Sequence, residues 1–101
     1  MRVGKIIESN DFPGARKPAY RVKIDFGPEI GCKKSSAQLT TRYKKGDLIG
    51  KKVIAVVNFP PKQVANFLSE VLVLGVSDST GGIILLEPED DVDSPLGSRV
   101  H

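Results

Sequence analysis

Histidine occurs once, as the last residue His101, cysteine occurs once, as Cys32, and tryptophan does not occur. With its only imidazole at the chain end, the sequence offers no base for a Ser-His-Asp arrangement. One cysteine and one histidine do not fill a four-ligand zinc site. A lone cysteine closes no internal disulfide, so the fold has to rest on an apolar core, and such usage fits a reducing compartment. No apolar run approaches the roughly 18 residues of a membrane span. The opening residues, MRVGKIIESNDF, hold one apolar pair between charges and no apolar core of a secretory signal. A cytoplasmic protein without membrane insertion is expected. There is no G-x-x-x-x-G-K-[ST] phosphate loop. Asp90, Asp91 and Asp93 crowd together, but without the glycine and distal glutamate of a calcium loop, and read as an exposed acidic turn. Neither metal nor cofactor is expected, and for want of catalytic groups the chain is not expected to be an enzyme.

What is present is a 101-residue chain of net charge +3, long enough for one domain with a sizeable core. The charge is unevenly placed. Up to Lys62 there are 14 Lys/Arg against 5 Asp/Glu; beyond it only Arg99 faces 7 carboxylates. A basic surface that meets a polyanion or an acidic partner fits this asymmetry, as does a solvated charged surface with an acidic tail.

The apolar pattern is that of short strands. Arg2–Ser9 has Val3, Ile6 and Ile7 as apolar members. From Ala19 to Phe26, Tyr20, Val22, Ile24 and Phe26 alternate with Arg21, Lys23 and Asp25, the signature of a half-buried antiparallel strand. Gly27-Pro28-Glu29 makes a turn. In the returning strand, Ile30 to Leu39, parity breaks, and a β-bulge near Lys33–Ser36 is expected to reconcile its two halves. Thr40–Leu48 predicts a short helix or turn. Lys51–Phe59 and Leu68–Val76 predict strands four and five, both expected to be buried on two sides, and Ile83–Leu86 a short sixth. About six strands with one or two short helices, one of them between strands three and four, predict an all-β OB-fold: a five-stranded barrel with an extra C-terminal strand.

Val53–Gly75, VIAVVNFPPKQVANFLSEVLVLG, organises the rest. Pro60 and Pro61 lack a free N–H and end the strand. Lys62–Asn66 has the length of one helical turn, and Asn66 is suited to a positive φ. The corner gathers Asn58, Lys62, Ser69 and Glu70. Asn58, beside the prolines, reads as a scaffold residue, and Ser69 as one facing a ligand. Lys33 and Lys34 with Ser35 and Ser36 combine cations and hydroxyls, which suits phosphate contacts and equally suits an edge strand protected against aggregation. Phe12, Tyr43, Phe59 and Phe67 lie near loops, as core residues or stacking platforms. Ile83–Leu86 and the C-terminal residues offer apolar surface beyond what a five-stranded barrel needs, and a homodimer is expected, with 87–101 as an extension in its contacts.

RVGKI (2–6), VKIDFG (22–27), SSAQLTTRY (35–43) and the long stretch 53–75 resemble the tRNA-binding OB-domain family. Its members are appendages of methionyl-tRNA synthetases or small free-standing dimers. Ser35-Ser36 and Ser69-Glu70-Val71-Leu72 resemble the export-related chaperones of the family, the CsaA group, rather than the Ser-Gly and Ser-x-Gly-Met of its tRNA binders. The resemblance covers about residues 2 to 90 of what is expected to be one domain over 1–101, and it puts Ser36, Asn58, Lys62, Ser69 and Glu70 on the ligand-binding side. It implies a chaperone that binds unfolded preproteins or peptides in a groove on a dimeric OB-fold, with the export translocase ATPase as a further partner. The alternative it implies is a tRNA-binding protein that uses the basic face of the barrel.

Overall fold

Extended chain opens the fold: β1 (Arg2–Asp11), β2 (Tyr20–Asp25) and β3 (Cys32–Ala37). One helical turn, α1 (Lys45–Leu48), leads to β4 (Lys52–Val56). Then follow β5 (Lys62–Val64), β6 (Phe67–Ser69), β7 (Leu72–Val73), β8 (Gly75–Ser77) and β9 (Ile83–Leu85). The structure, a computed structural model, describes residues 1–14, 17–89 and 95–101. Arg16 and the acidic cluster Asp90, Asp91 and Asp93 lie outside the described residues.

β3-β2-β1-β4-β7 form one antiparallel sheet in that order. Rolled until β7 returns to β3, it makes the partly open five-stranded barrel of the OB-fold. The β8–β9 pair is the C-terminal addition. β1 is long because it serves two neighbours. Its first half pairs with β4, from Arg2↔Ala55 to Lys5↔Lys52, and its second half with β2, from Lys5↔Asp25 to Asp11↔Tyr20. Near the point where the two halves meet, the side chains of Ile24 and Phe26 crowd the β1 backbone. A Cβ on Gly4 would stand 2.5 Å from Ile24 Cγ2 and 2.7 Å from the Phe26 ring, so only glycine fits there.

The alternation in β2 puts Tyr20, Val22, Ile24 and Phe26 into the barrel, where they meet Ile6, Leu39, Leu48, Val53, Ala55, Val71 and Leu85. Two tyrosines tie the linker to this core. Tyr20 O–H donates to the Tyr43 carbonyl (2.8 Å), and the Leu85 N–H donates to the Tyr43 hydroxyl (3.2 Å).

Several expectations change. The bulge lies in β1, between Ile6 and Glu8, and β3 pairs with β2 without a break. Ile7 sits at the bulge and is 37% exposed, so it does not join the core set. Ile30 precedes β3 in the turn, and once it leaves the strand no parity conflict remains. Strand four is half-buried rather than doubly buried, with Val53 and Ala55 inward and Ile54 and Val56 partly exposed. The segment expected as a helical turn is strand β5, paired with β6 about a two-residue turn. Ala65 carries the positive φ there (52°), not Asn66. Residues 97–100 lie beside the start of β1: Gly97 N–H donates to the Val3 carbonyl (2.8 Å) and Val3 N–H to the Ser98 carbonyl (3.0 Å).

Candidate functional site: a side-chain seam between a basic face and an apolar groove

β3 and β7 come together without a regular ladder, and side chains together with the Glu70 and Val71 N–H groups finish the closure. The Ser36 N–H donates to Ser69 Oγ (3.1 Å), and Ser69 Oγ–H donates to the Val71 carbonyl (3.3 Å). The Lys34 N–H donates to Glu70 Oε1 (3.1 Å), and the Lys34 carbonyl accepts from the Glu70 N–H (2.8 Å) and the Val71 N–H (3.3 Å). Alternate residues of β3 thus turn their backbone groups outward, and the 69–71 segment satisfies them.

Five of the sequence-derived residues meet here: Lys34, Ser36, Ser69 and Glu70 through these bonds, and Lys62 as the cross-strand partner of Ser69. Two hydroxyls point elsewhere than expected. Ser69 is 7% exposed and Ser35 1%, so both are buried, Ser69 within the seam bonds. The parity of Ser35 follows from the unbroken β2–β3 register, which sets Ser35 inward with Val22 and turns Lys34 and Ser36 outward. Lys33 is half-buried on the opposite parity from Lys34. Asn58 is exposed at the bend after β4 and lines neither of the two cavities that flank the seam.

On one side of the seam lies the outer face of β1, β2 and β3. Register sets its side chains in two rows, Glu8–Lys23–Lys34 and Asn10–Arg21–Ser36. Lys23 Nζ stands 3.5 Å from Glu8 Oε2. Glu8, Asn10, Arg21, Lys23 and Lys34, with Val22 and Phe67, line a cavity of about 350 Å³. The Phe67 ring meets Phe12 edge-on, at 5.4 Å between centroids and 61° between planes. Arg21 lies over Phe12 (5.6 Å) and Lys34 Nζ over Phe67 (5.5 Å), so each ring carries a cation. Glu8, Asn10, Arg21 and Lys23 were not singled out from sequence. The alternation in β2 gave the outward direction of Arg21 and Lys23, but their partners on β1 depend on the bulge at Ile7.

On the other side is an apolar groove of about 300 Å³, lined by Ala37 and Leu39 after the seam, by Leu72, Val73 and Leu74 across it, and by Ile83 and Leu85 from β9. Leu72 is 50% exposed at its mouth. The resemblance implied a groove, but sequence reasoning did not name this lining, because it forms only when β9 folds back on β8.

Among the described residues no group of three or more His, Cys, Asp or Glu is placed to hold a metal ion. Among them no helix is long and apolar enough to cross a membrane. Asp78, in the β8–β9 turn, accepts from the Thr80 N–H (2.8 Å), the Thr80 hydroxyl (2.9 Å) and the Gly82 N–H (2.8 Å). The two bonds from Thr80, then that from Gly82, hold its carboxyl below the usual aspartate value, against a small opposing effect of burial.

The comparisons agree with this architecture. Two solved structures of CsaA chaperones superpose closely. That from Picrophilus torridus has a TM-score of 0.90 at 58% identity and covers 99% of this chain and 89% of that one. That from Bacillus anthracis str. Ames has a TM-score of 0.89 at 50% identity, with 99% and 88% covered. The methionine–tRNA ligase of Methanocaldococcus jannaschii is 33% identical over 101 residues, all of this chain, which spans 15% of that ligase. The family model of the tRNA binding domain matches residues 1–98. This chain belongs to the tRNA binding domain family.

Proposed function

We propose that this protein is a chaperone of the CsaA type, which holds extended segments of unfolded preproteins in the apolar groove between β3 and β7. The groove itself carries the reading. It is lined by Leu39, Leu72, Leu74, Ile83 and Leu85, and it runs beside strands that do not pair with each other. An extended peptide laid there buries alternate side chains and meets backbone groups at strand edges, which is the logic of strand addition. The 50–58% identity to the two CsaA structures, against 33% to the ligase, supports the same choice.

The test is the light scattering of a chemically denatured protein diluted into buffer. The protein should suppress aggregation, and Leu72→Lys should abolish the effect, because the exposed side chain can change without disturbing the core. Full suppression by Leu72→Lys overturns the reading. The proposal extends to a homodimer, with exposed Met1, Val76, Leu86 and Val100 as its apolar surface and residues 87–101 contributing, and to the export translocase ATPase as the acceptor of the held preprotein. A solution mass of only 10.9 kDa at micromolar concentration rules out the dimer.

A second reading rests on a separate observation: Arg21, Lys23 and Lys34 share the outer face with the partly exposed Phe67. Cations beside an aromatic ring are what a barrel face needs to bind tRNA through phosphates. With about three phosphates neutralised, affinity should fall with salt at a log–log slope near −2. Peptide held in the groove should not respond in this way, so titrations with tRNA and with unfolded protein at several salt concentrations separate the two activities.

A further inference from the structure

We infer that the cavity on the outer face of β1, β2 and β3 is a pocket for one unpaired nucleobase of RNA, stacked on Phe67, with Lys34 taking its phosphate. The inference rests on the RNA reading of this face and goes further, from a charged surface to a base-selective site.

Shape comes first. The cavity, about 350 Å³, is at the lower end of the roughly 300–1,000 Å³ typical of small-ligand sites. A flat basic patch would bind phosphates without such a concavity. Its aromatic wall is fixed in place: Phe67 is braced edge-on by Phe12, which is itself only 5% exposed. A ring held in this way loses little freedom when a base stacks on it. In the free protein the Lys34 ammonium lies 5.5 Å from the Phe67 centroid. An arriving base takes that position, and the long lysine stem carries the charge outward, where the phosphate of the same nucleotide lies.

The acidic and amide groups decide the ligand class. Glu8 and Asn10 line the same cavity as Arg21, Lys23 and Lys34. A carboxylate inside the pocket is unfavourable for an acidic peptide or for bare phosphate. It is suited to accept from the exocyclic amine of cytosine, while Asn10 both donates and accepts along a base edge. Glu8 is not consumed by its ion pair, since Lys23 Nζ lies at 3.5 Å from one of its two oxygens. Unpaired RNA bases are read in this way, stacked and bonded on their edges. The pocket should therefore prefer cytosine over uracil, which has no exocyclic amine.

The experiment is fluorescence anisotropy of labelled oligocytidine and oligouridine on the full chain, with a tRNA transcript and poly-glutamate as further probes. Oligocytidine should bind at least about 5-fold more tightly than oligouridine. Phe67→Leu should weaken oligocytidine binding about 5- to 150-fold without changing the salt slope, and Phe67→Tyr should restore it. Glu8→Gln should remove the cytosine preference. Its side chain is 56% exposed, so this variant keeps the fold even if Phe67→Leu does not. If tRNA binds but Phe67→Leu and Glu8→Gln change nothing, the base pocket is wrong and the RNA reading stands. If neither tRNA nor oligonucleotide binds, both fail. If poly-glutamate binds with the same dependence on Phe67, the site belongs to an acidic peptide.

Discussion

Glu70 and Lys34 are joined twice: Glu70 Oε1 accepts the Lys34 N–H at 3.1 Å, and the Glu70 N–H donates to the Lys34 carbonyl at 2.8 Å. One residue thereby supplies both halves of a pairing that a neighbouring strand would ordinarily provide. Glu70→Ala removes the side-chain half and leaves the backbone half. It should cost about 1 kcal/mol in urea denaturation, and Glu70→Gln, which keeps an acceptor oxygen, should cost less than half as much. Equal losses for the two variants would show that the carboxylate charge, not the bond to Lys34, is what counts.

Ser69 is the second closure. Its hydroxyl accepts from the Ser36 N–H and donates to the Val71 carbonyl while buried. Ser69→Ala should lower stability by about 1–2 kcal/mol, since partners on both strands lose their bond. Asn58 is exposed, and Asn58→Ala should stay within about 0.5 kcal/mol of the parent. The sequence alone pointed to the opposite assignment. Melting curves of the two variants side by side settle it.

Ala65 sits at φ 52° in the two-residue turn between β5 and β6. A Cβ in the left-handed region costs roughly 1–2 kcal/mol, and the greater freedom of glycine in the unfolded chain returns part of that. Ala65→Gly should therefore gain about 0.5 kcal/mol. Asn66→Gly, next to it, gains nothing by the same logic and should be neutral or worse. A higher midpoint for Asn66→Gly than for Ala65→Gly would contradict this placement of the turn.

Ser9 Oγ is buried without a hydrogen-bond partner. An unsatisfied buried hydroxyl is a standing cost. Ser9→Ala should raise stability by about 1 kcal/mol, measured by the denaturation midpoint at unchanged slope. A loss of stability would mean that the hydroxyl has a bonded water.

Asp78 gives a pH dependence. Its folded pKa lies below its unfolded value because the charged form accepts bonds from Thr80 and Gly82. The unfolded chain therefore takes up the proton first as pH falls. The stability that Asp78 contributes is fully present above about pH 4, the ordinary aspartate value, and is lost as pH drops through the lowered folded value. Asp78→Asn keeps an acceptor but does not titrate, so its melting temperature should fall less steeply than the parent's below pH 4. Parallel curves would remove Asp78 from the acid response.

The sequence by itself determined the class of fold and most of its core. Tyr20, Val22, Ile24 and Phe26 are inward as their alternation requires, because side-chain direction in a strand is fixed by a period of two and needs no knowledge of partners. The prolines expected to end strand four do not set its limit: β4 stops at Val56, before Pro60 is reached. Lys34, Ser36, Ser69 and Glu70 could be named from sequence because their residue types and neighbours are unusual along the chain itself.

What only the tertiary structure decided is register and closure. The bulge at Ile7 shifts every later residue of β1 against β2, and so sets Glu8 beside Lys23 and Asn10 beside Arg21. No local pattern marks a bulge there, and the parity break that suggested one in β3 disappears because Ile30 lies in the turn before the strand. Likewise nothing in Ser69 or Glu70 says that they face another strand's backbone rather than solvent. That depends on the curvature that brings β7 back to β3, a sum over five paired strands. The basic pocket and the apolar groove both form at that seam. Their residues come from distant parts of the chain, and their contacts exist only once the barrel has closed.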